Sequence, residues 1–264
     1  MENNETANIL WTGGWDSTYR LLDLLLIKEK TVQPWYIIDP YRRSTLLELR
    51  AMKEIKKNLS VKFPKTVNLL KPNIYLEVYD INQNEDITGS FNRINEIYTW
   101  GNQYEWLARF ANEQGLTNLE LCWEKGNSER SKHFRNHLIK VNDNNDSYYK
   151  FSSNYEQTDY YNIFKYFNFP IIEITKLDMV IISQQHGFNE FMEMTWFCHT
   201  PRANFKPCGT CNPCKLTIKK GLGRRLPFIS RVRYHFAWIL NIREKLEKYP
   251  GIHNLLKNIK QKFI

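Results

Sequence analysis

No stretch of the 264 residues approaches the roughly 18 consecutive apolar positions that a membrane span requires; the best run, Leu21 to Ile27, is broken by Asp23. Met1 to Asn8 is polar and slightly acidic, so no secretory leader is read there and a cytoplasmic location is expected. Cysteine is sparse, five residues in all, and a reducing cytosol disfavours disulfides among them. No lysine follows the pair Gly13-Gly14 at the spacing of a GxxxxGK[ST] loop, and no third glycine completes a dinucleotide fingerprint, which excludes those two phosphate-binding signatures. Internal repeats and heptads are missing too, so the chain is neither a solenoid nor a coiled coil.

What is present suffices for one large domain with an appendage: 42% of the residues are hydrophobic, enough for a full core. The net charge of +9 suits a protein that handles phosphorylated ligands or nucleic acid, although the same charge serves solubility. Ile9-Leu10-Trp11-Thr12-Gly13-Gly14-Trp15-Asp16-Ser17-Thr18 reads as a short strand, two glycines, an acid and hydroxyls leading into a helix. That order makes a phosphate cradle. Glycines let the backbone approach an anion, the unpaired amides of a helix start point at it, and Thr12, Ser17 and Thr18 add hydroxyls. An ordinary strand-turn-helix corner is the alternative reading, since glycine and serine dominate turns anyway.

Strands and helices alternate along the chain. Asn8 to Trp11 and Val32 to Asp39 read as strands, Tyr19 to Lys28 and Ser44 to Asn58 as helices, the latter with a serine cap. Gln103 to Gln114 has helical spacing and Leu119 to Trp123 follows as a strand, with Cys122 a buried strand cysteine. Asn142 to Asp146 reads as a polar loop, a helix is expected from near Gln157 within the aromatic stretch Tyr148 to Phe169, and another from Lys176 to His186. The pattern predicts an α/β fold with a mostly parallel, doubly wound sheet, whose ligands sit at the carboxyl ends of the strands.

Four cysteines fall together as Cys198, Cys208, Cys211 and Cys214, a C-x9-C-x2-C-x2-C array. Two short spacings suit tetrahedral thiolate ligation of zinc, with Gly209 and Pro213 favouring tight backbone between the sulfurs; a redox pair is the weaker alternative. Three segments follow: a nucleotide-binding domain over residues 1–190, a zinc-binding region over 191–215, and a basic helical tail over 216–264.

The glycine loop resembles the SGGxDS loop of the PP-loop ATP pyrophosphatases, with Thr12 in place of the first serine. Together with the cysteine array it resembles 7-cyano-7-deazaguanine synthase, unevenly, from about Ile9 to about Lys215. Asp39 with Tyr41 to Glu48 is similar to the family's DYGQ segment and helix; Asn102, Ala108 and Ala111 to Gly115 to its RNxxF helix; Pro170 to Lys176 to its PL-x-x-x-x-K element. Thr195-Trp196-Phe197-Cys198 is close to its TWSC, and Cys208-Gly209-Thr210-Cys211 to its CGxC. The resemblance implies an adenine nucleotide alpha hydrolase-like fold and ATP-dependent, AMP-forming activation of a carboxylate, followed by amidation and nitrile formation. ATP, Mg²⁺ and Zn²⁺ are implied with it. Asp16, Ser17 and Lys176 form the implied catalytic set, Asp16 holding Mg²⁺ and Lys176 placing a charge on pyrophosphate. Thr12, Gly13, Gly14, Trp15, Asp16, Ser17, Thr18 and Asp39 are the implied nucleotide-binding residues. Lys176 as a solvated first-turn residue and Asp39 as a turn cap stand as equal alternatives.

The departures are informative. Where the family's DYSGYPDCRPEF segment should follow the strand Leu119 to Trp123, this chain reads Glu124-Lys125-Gly126-Asn127-Ser128-Glu129-Arg130-Ser131, either the lining for an altered substrate or a solvated charged loop. Relatives in antiviral gene clusters make a different acceptor a sensible expectation. Lys215 to Arg233 holds seven cations and no acid, before the aromatic and basic stretch Tyr234 to Ile264. That tail suits packing on the domain, contact with a protein or nucleic acid, or a homodimer interface. Two other classes remain: a tRNA-modifying PP-loop pyrophosphatase, weakened because only Cys122 lies outside the array, and a non-catalytic nucleotide-binding module of a defence complex, weakened by the presence of Asp16.

Overall fold

Ala7–Leu10 forms β1, and the chain turns at the two glycines into α1 (Trp15–Leu22), which runs on through a π-helical turn to Ile27. The computed structural model describes residues 6–143 and 146–247, in two units that divide after Trp196. In the first unit, β2 (Val32–Ile38), α2 (Thr45–Lys62), α3 (Thr66–Leu69) and β3 (Ile74–Glu77) come next. Then follow α4 (Glu85–Ile97), α5 (Gln103–Glu113), β4 (Leu119–Glu120), α6 (Glu129–Arg135), β5 (Leu138–Asp143) and β6 (Asp146–Phe151). The unit closes with α7 (Asp159–Phe164), β7 (Phe167–Phe169), α8 (Lys176–Gln185) and α9 (Asn189–Glu193).

The seven strands make one sheet in the order β3-β2-β1-β4-β7-β6-β5. β3, β2, β1, β4 and β7 are parallel, while β6 and β5 run antiparallel at one edge. The expected α/β sheet, mostly parallel with flanking helices, is therefore present. Its chain path steps from β1 outward through β2 to β3 and then returns to β4 on the other side of β1. That reversal opens a crevice beyond the carboxyl ends of β1 and β4, and the glycine loop lies there. Pro34 is tolerated in an interior strand because β3 begins pairing only at Trp35, so the missing N–H breaks no bond to β3.

Local signals explain most element ends. Asn84 caps α4 by accepting from the Ile87 amide at 3.0 Å, and Thr175 with Asp178 forms a reciprocal capping box at α8. Ser44 precedes α2 but its hydroxyl donates to Glu48 Oε1 at 2.6 Å rather than capping the backbone. One core cluster joins Trp100, Leu107, Phe110, Phe134, Phe164 and Phe169 beneath α4, α5 and α7. A second anchor is ionic: the buried Arg20 guanidinium donates to Asp23 (2.6 Å), Glu120 (2.6 and 2.8 Å) and Asp146 (2.5 and 3.0 Å), tying α1 to β4 and β6.

Several expectations are corrected. Leu119 to Trp123 is a strand only at Leu119–Glu120; the sheet's short neighbour β7 gives no pairing beyond it, and the Trp123 amide turns back to the Leu121 carbonyl. Cys122 is thus half-buried beyond the strand. Asn142, Asp143 and Asp146 belong to the β5–β6 hairpin, where ladder pairing overrides polar composition; residues 144 and 145 lie outside the described residues. The aromatic stretch splits into β6, α7 and β7, with α7 capped by Thr158. Helix α2 continues four residues past Asn58 to Lys62.

In the second unit a cysteine-bearing loop leads to α10 (Asn212–Thr217), two short helical turns reach Arg225, and α11 (Phe228–Glu247) follows. The expected tail beyond Glu247 lies outside the described residues. Among the described residues no helix is long and apolar enough to cross a membrane.

Candidate active site and metal centre

The glycine loop is shaped by its backbone. Gly13 has φ +64°, and a Cβ there would meet the Glu48 carbonyl oxygen at 2.9 Å, so the position excludes side chains for both conformation and space. Its carbonyl accepts the Trp196 amide at 2.9 Å. Gly14 precedes α1, whose first amides, up to the Thr18–Gly14 bond, have no helical carbonyl to satisfy them. Ser17 Oγ accepts the Thr12 amide at 3.3 Å and lies 3.4 Å from Thr12 Oγ1, which gathers both hydroxyls at the loop mouth. Such a terminus attracts an anion.

Lys176, the first residue of α8, reaches across to this loop. Its Nζ lies 2.6 Å from Asp16 Oδ1 and 3.2 Å from Glu124 Oε1. Burial pulls the lysine pKa down, and the two carboxylates more than reverse it, so the ammonium stays charged. The Lys176 side chain is mostly buried at this position. Glu124, from the departing segment, is likewise drawn into the polar cluster. Lys125 instead pairs with Glu173, and Arg130 packs its guanidinium 4.9 Å over the Trp100 ring while donating to the Thr99 carbonyl.

Beside the loop lies a cavity of about 250 Å³. Thr12, Gly14, Trp15, Asp16 and Ser17 form its polar wall, and Trp35, Tyr104, Trp106 and Trp123 its aromatic wall. Arg42 adds a cation, 3.6 Å from Glu48 Oε1. Cys122 also lines the cavity, and burial pushes its thiol well above the usual range, so it is a poor nucleophile at neutral pH. Thr18 and Asp39 are not among the residues that line this cavity. Thr18 is fully buried, its Oγ1 accepting from Trp11 Nε1 at 3.0 Å, and Asp39 Oδ1 accepts the Tyr41 amide at 3.0 Å as a turn cap.

Sequence reasoning did not single out Arg42, Tyr104 or Trp106 as site residues. Trp106 shares a helix with Leu107 and Phe110, and its apolar spacing pointed to the core rather than to a cavity wall.

In the second unit, the sulfurs of Cys198, Cys208, Cys211 and Cys214 all lie within 4.8 Å of one another, with Cys208–Cys214 and Cys198–Cys211 at 3.9 Å. Four thiolates at Zn–S distances of about 2.3 Å stand roughly 3.8 Å apart, so the donor set fits tetrahedral zinc. Backbone amides of Cys208, Thr210 and Cys211 donate to the sulfurs at 3.2 to 3.3 Å, the outer support that thiolate ligands require.

A mostly parallel sheet with a switch-point glycine loop, a helix N-terminus and a lysine aimed at it makes an α/β fold consistent with the PP-loop fold. The family model for Queuosine biosynthesis protein QueC matches residues 142–223, the span holding Lys176, Thr195-Trp196 and all four cysteines but not the glycine loop. That match, over less than half of the chain, is consistent with a divergent, QueC-like member of the 7-cyano-7-deazaguanine synthase family. No curated protein matches the chain.

Proposed function

We propose that the protein activates a carboxylate with ATP, releasing pyrophosphate, and transfers the acyl group of the resulting acyl adenylate to a nitrogen nucleophile, with AMP leaving. The contact of Lys176 Nζ with Asp16 at the mouth of the glycine loop carries this reading. It brings together, from opposite ends of the first unit, a cation for phosphate oxygens and an acid suited to a divalent ion. Asp16 would hold Mg²⁺, which would neutralise charge on the phosphates. The α1 amides and the hydroxyls of Thr12 and Ser17 receive the departing pyrophosphate, and Lys176 steadies the charge that builds as the α–β bond breaks. A carboxylate resists attack until its oxygen can leave, and leaving as AMP supplies that route.

The aromatic-walled cavity suits heterocycles, so 7-carboxy-7-deazaguanine is the first carboxylate to try, with ammonia giving the amide and a second activation the nitrile. Glu124 on Lys176 favours a second form of this reading, in which the acceptor differs from that of the ordinary synthase, as an antiviral role would require. Zn²⁺ would be held by the four cysteines and act as a structural closure. The lone, raised Cys122 thiol speaks against a thiolating tRNA enzyme, and the zinc-ready thiols suit a reducing cytoplasm. Incubation with ATP, Mg²⁺, ammonium and 7-carboxy-7-deazaguanine, followed by mass spectrometry, tests the proposal: AMP and pyrophosphate are expected, whereas ATP left intact with every carboxylate and nucleophile offered defeats it.

A further inference from the structure

Charge is distributed unevenly along the chain. Between residues 197 and 243 there are ten Lys and Arg and no Asp or Glu, while the whole chain carries a net +9, so the rest is nearly neutral. Even with four thiolates on a divalent ion this stretch stays strongly positive. Solubility does not require such segregation, because scattered charge serves it equally.

The same unit contains a concavity of about 770 Å³, to which Arg202, Lys206 and Arg233 contribute cations. Its other wall is the start of α11, where Phe228 and Ile229 stand exposed. Arg202 to Lys206 is a tight turn: the Phe205 amide donates to the Arg202 carbonyl, the Arg202 amide to the Lys206 carbonyl, and Phe205 has φ +58°. An aromatic residue in the left-handed region is uncommon, and here it accompanies a ring left 60% exposed. The cysteine loop fixes this geometry. Ser230 Oγ donates to the Pro207 carbonyl at 2.6 Å, and a Cβ on Gly209 would collide with the Ser230 carbonyl at 2.0 Å, so the loop between Cys208 and Cys211 is pressed against the first turn of α11.

We infer that this groove binds single-stranded nucleic acid, and that the cysteine-held metal organises it. Cations without interspersed acid follow a phosphate backbone and carry no register information, as sequence-blind binding requires. Exposed Phe205 and Phe228 next to arginines offer stacking faces for unpaired bases, which a duplex keeps covered. An acidic peptide would use the cations but leave those rings without a planar partner. The inference is independent of the reaction proposed above and is measured without ATP.

The test is fluorescence anisotropy of the full-length, zinc-loaded protein with a labelled single strand of about fifteen nucleotides, as RNA and as DNA, over roughly 50 to 300 mM salt. Binding is expected to weaken steadily with salt, with a log–log slope of about −0.7 per phosphate contacted. Arg202→Glu with Lys206→Glu is expected to lower affinity at least about tenfold and to flatten the slope. Phe228→Ala is expected to weaken binding with the slope retained, because stacking releases no counterions. Circular dichroism and zinc content show that the variants fold, and ATP turnover is expected to be unchanged, since none of these residues belongs to the glycine-loop site. No binding at the lowest salt, equal binding by the charge-reversed variant, tighter binding of a duplex of equal length, or tighter binding of poly-glutamate each overturns the inference.

Discussion

The carbonyl of Gly13 accepts the backbone N–H of Trp196 at 2.9 Å, so the glycine loop near the start of the first unit is fastened by the residue that ends it. Two motifs read separately in the sequence meet in one hydrogen bond. Thr195 strengthens the fastening from behind, donating its hydroxyl to the Met192 carbonyl at 2.7 Å. The loop is therefore held in its strained form by tertiary contact, which is what a rigid anion cradle needs.

Gly13→Ala is expected to lower stability by about 1–3 kcal/mol and to reduce ATP turnover with it, because a Cβ is disfavoured at this φ and has no space beside Glu48. Chemical denaturation followed by intrinsic tryptophan fluorescence measures the first effect. A midpoint unchanged from the parent would show that the loop relaxes freely.

Elemental analysis is expected to find about one zinc per chain. Cys211→Ser removes one of four close sulfurs and should lose both the metal and the fold of the second unit, since structural zinc contributes on the order of 10 kcal/mol in small zinc domains. A metal-free protein that keeps its thermal transition would contradict this.

Asp16→Asn and Lys176→Ala are each expected to lower turnover by about 10²-fold or more, the scale seen when a preorganised charge is removed from a transition state. Products separate the mechanism from others: AMP and pyrophosphate are expected from ATP. ADP and phosphate as main products would place the protein in a different class.

Arg20 predicts a pH dependence. Arg20→Met leaves Asp23, Glu120 and Asp146 buried without their guanidinium and is expected to cost about 3–5 kcal/mol at pH 7. In the parent, burial works to raise the Asp146 carboxyl, but hydrogen bonds from Arg20 and the charges of Arg20, Lys28 and Lys30 outweigh it and hold the group below its usual value. A depressed carboxylate stabilises the fold above its unfolded pKa of about 3.9, and that part is lost as pH falls through the lower folded value. The Asp146→Asn deficit should therefore be constant near neutrality and shrink below about pH 4. Melting temperatures across that range measure it, and a deficit that grows on acidification would reverse the sign.

The βαβ start was legible because its signals are local: an apolar strand, a glycine pair and a helix pattern within a few residues. The cysteine cluster was legible for the same reason, since Cys208, Cys211 and Cys214 lie close together in the sequence, on a short loop and the start of α10. The hairpin β5–β6 was not, because Asn142, Asp143 and Asp146 are polar, and their strand conformation comes from the ladder that pairs Asn142 with Ser147 and Asp143 with Asp146 rather than from any apolar pattern. Arg20 was invisible as an anchor: its three partners come from α1's own continuation, β4 and β6, and no short window contains them. Arg42 and Trp106 share that difficulty, since a cavity wall assembled from several elements leaves no spacing to read.

The segment from Glu124 to Arg130 yields the sharpest forecast, because the structure divides residues that the sequence presented as one run. Glu124 contacts the Lys176 ammonium at 3.2 Å, beside Asp16, while Arg130 lies over Trp100 and is tied to the Thr99 carbonyl. If the segment sets specificity, it acts through Glu124. Glu124→Gln keeps the size and a hydrogen-bonding oxygen but removes the charge; it is expected to change kcat/KM for the nitrogen acceptor by about tenfold or more, a polar contact being worth roughly 1–3 kcal/mol when left unmatched. Arg130→Ala removes an exposed cation–π contact of about 0.5–1 kcal/mol together with the hydrogen bond to the Thr99 carbonyl, neither of which touches Lys176 or Asp16, and is expected to leave kinetics unchanged. Steady-state kinetics with 7-carboxy-7-deazaguanine and a series of amines decides between the two forms of the reaction. Efficient conversion to the free nitrile, untouched by either substitution, would show that Glu124 merely neutralises Lys176 and that the departing segment has no part in choosing the acceptor.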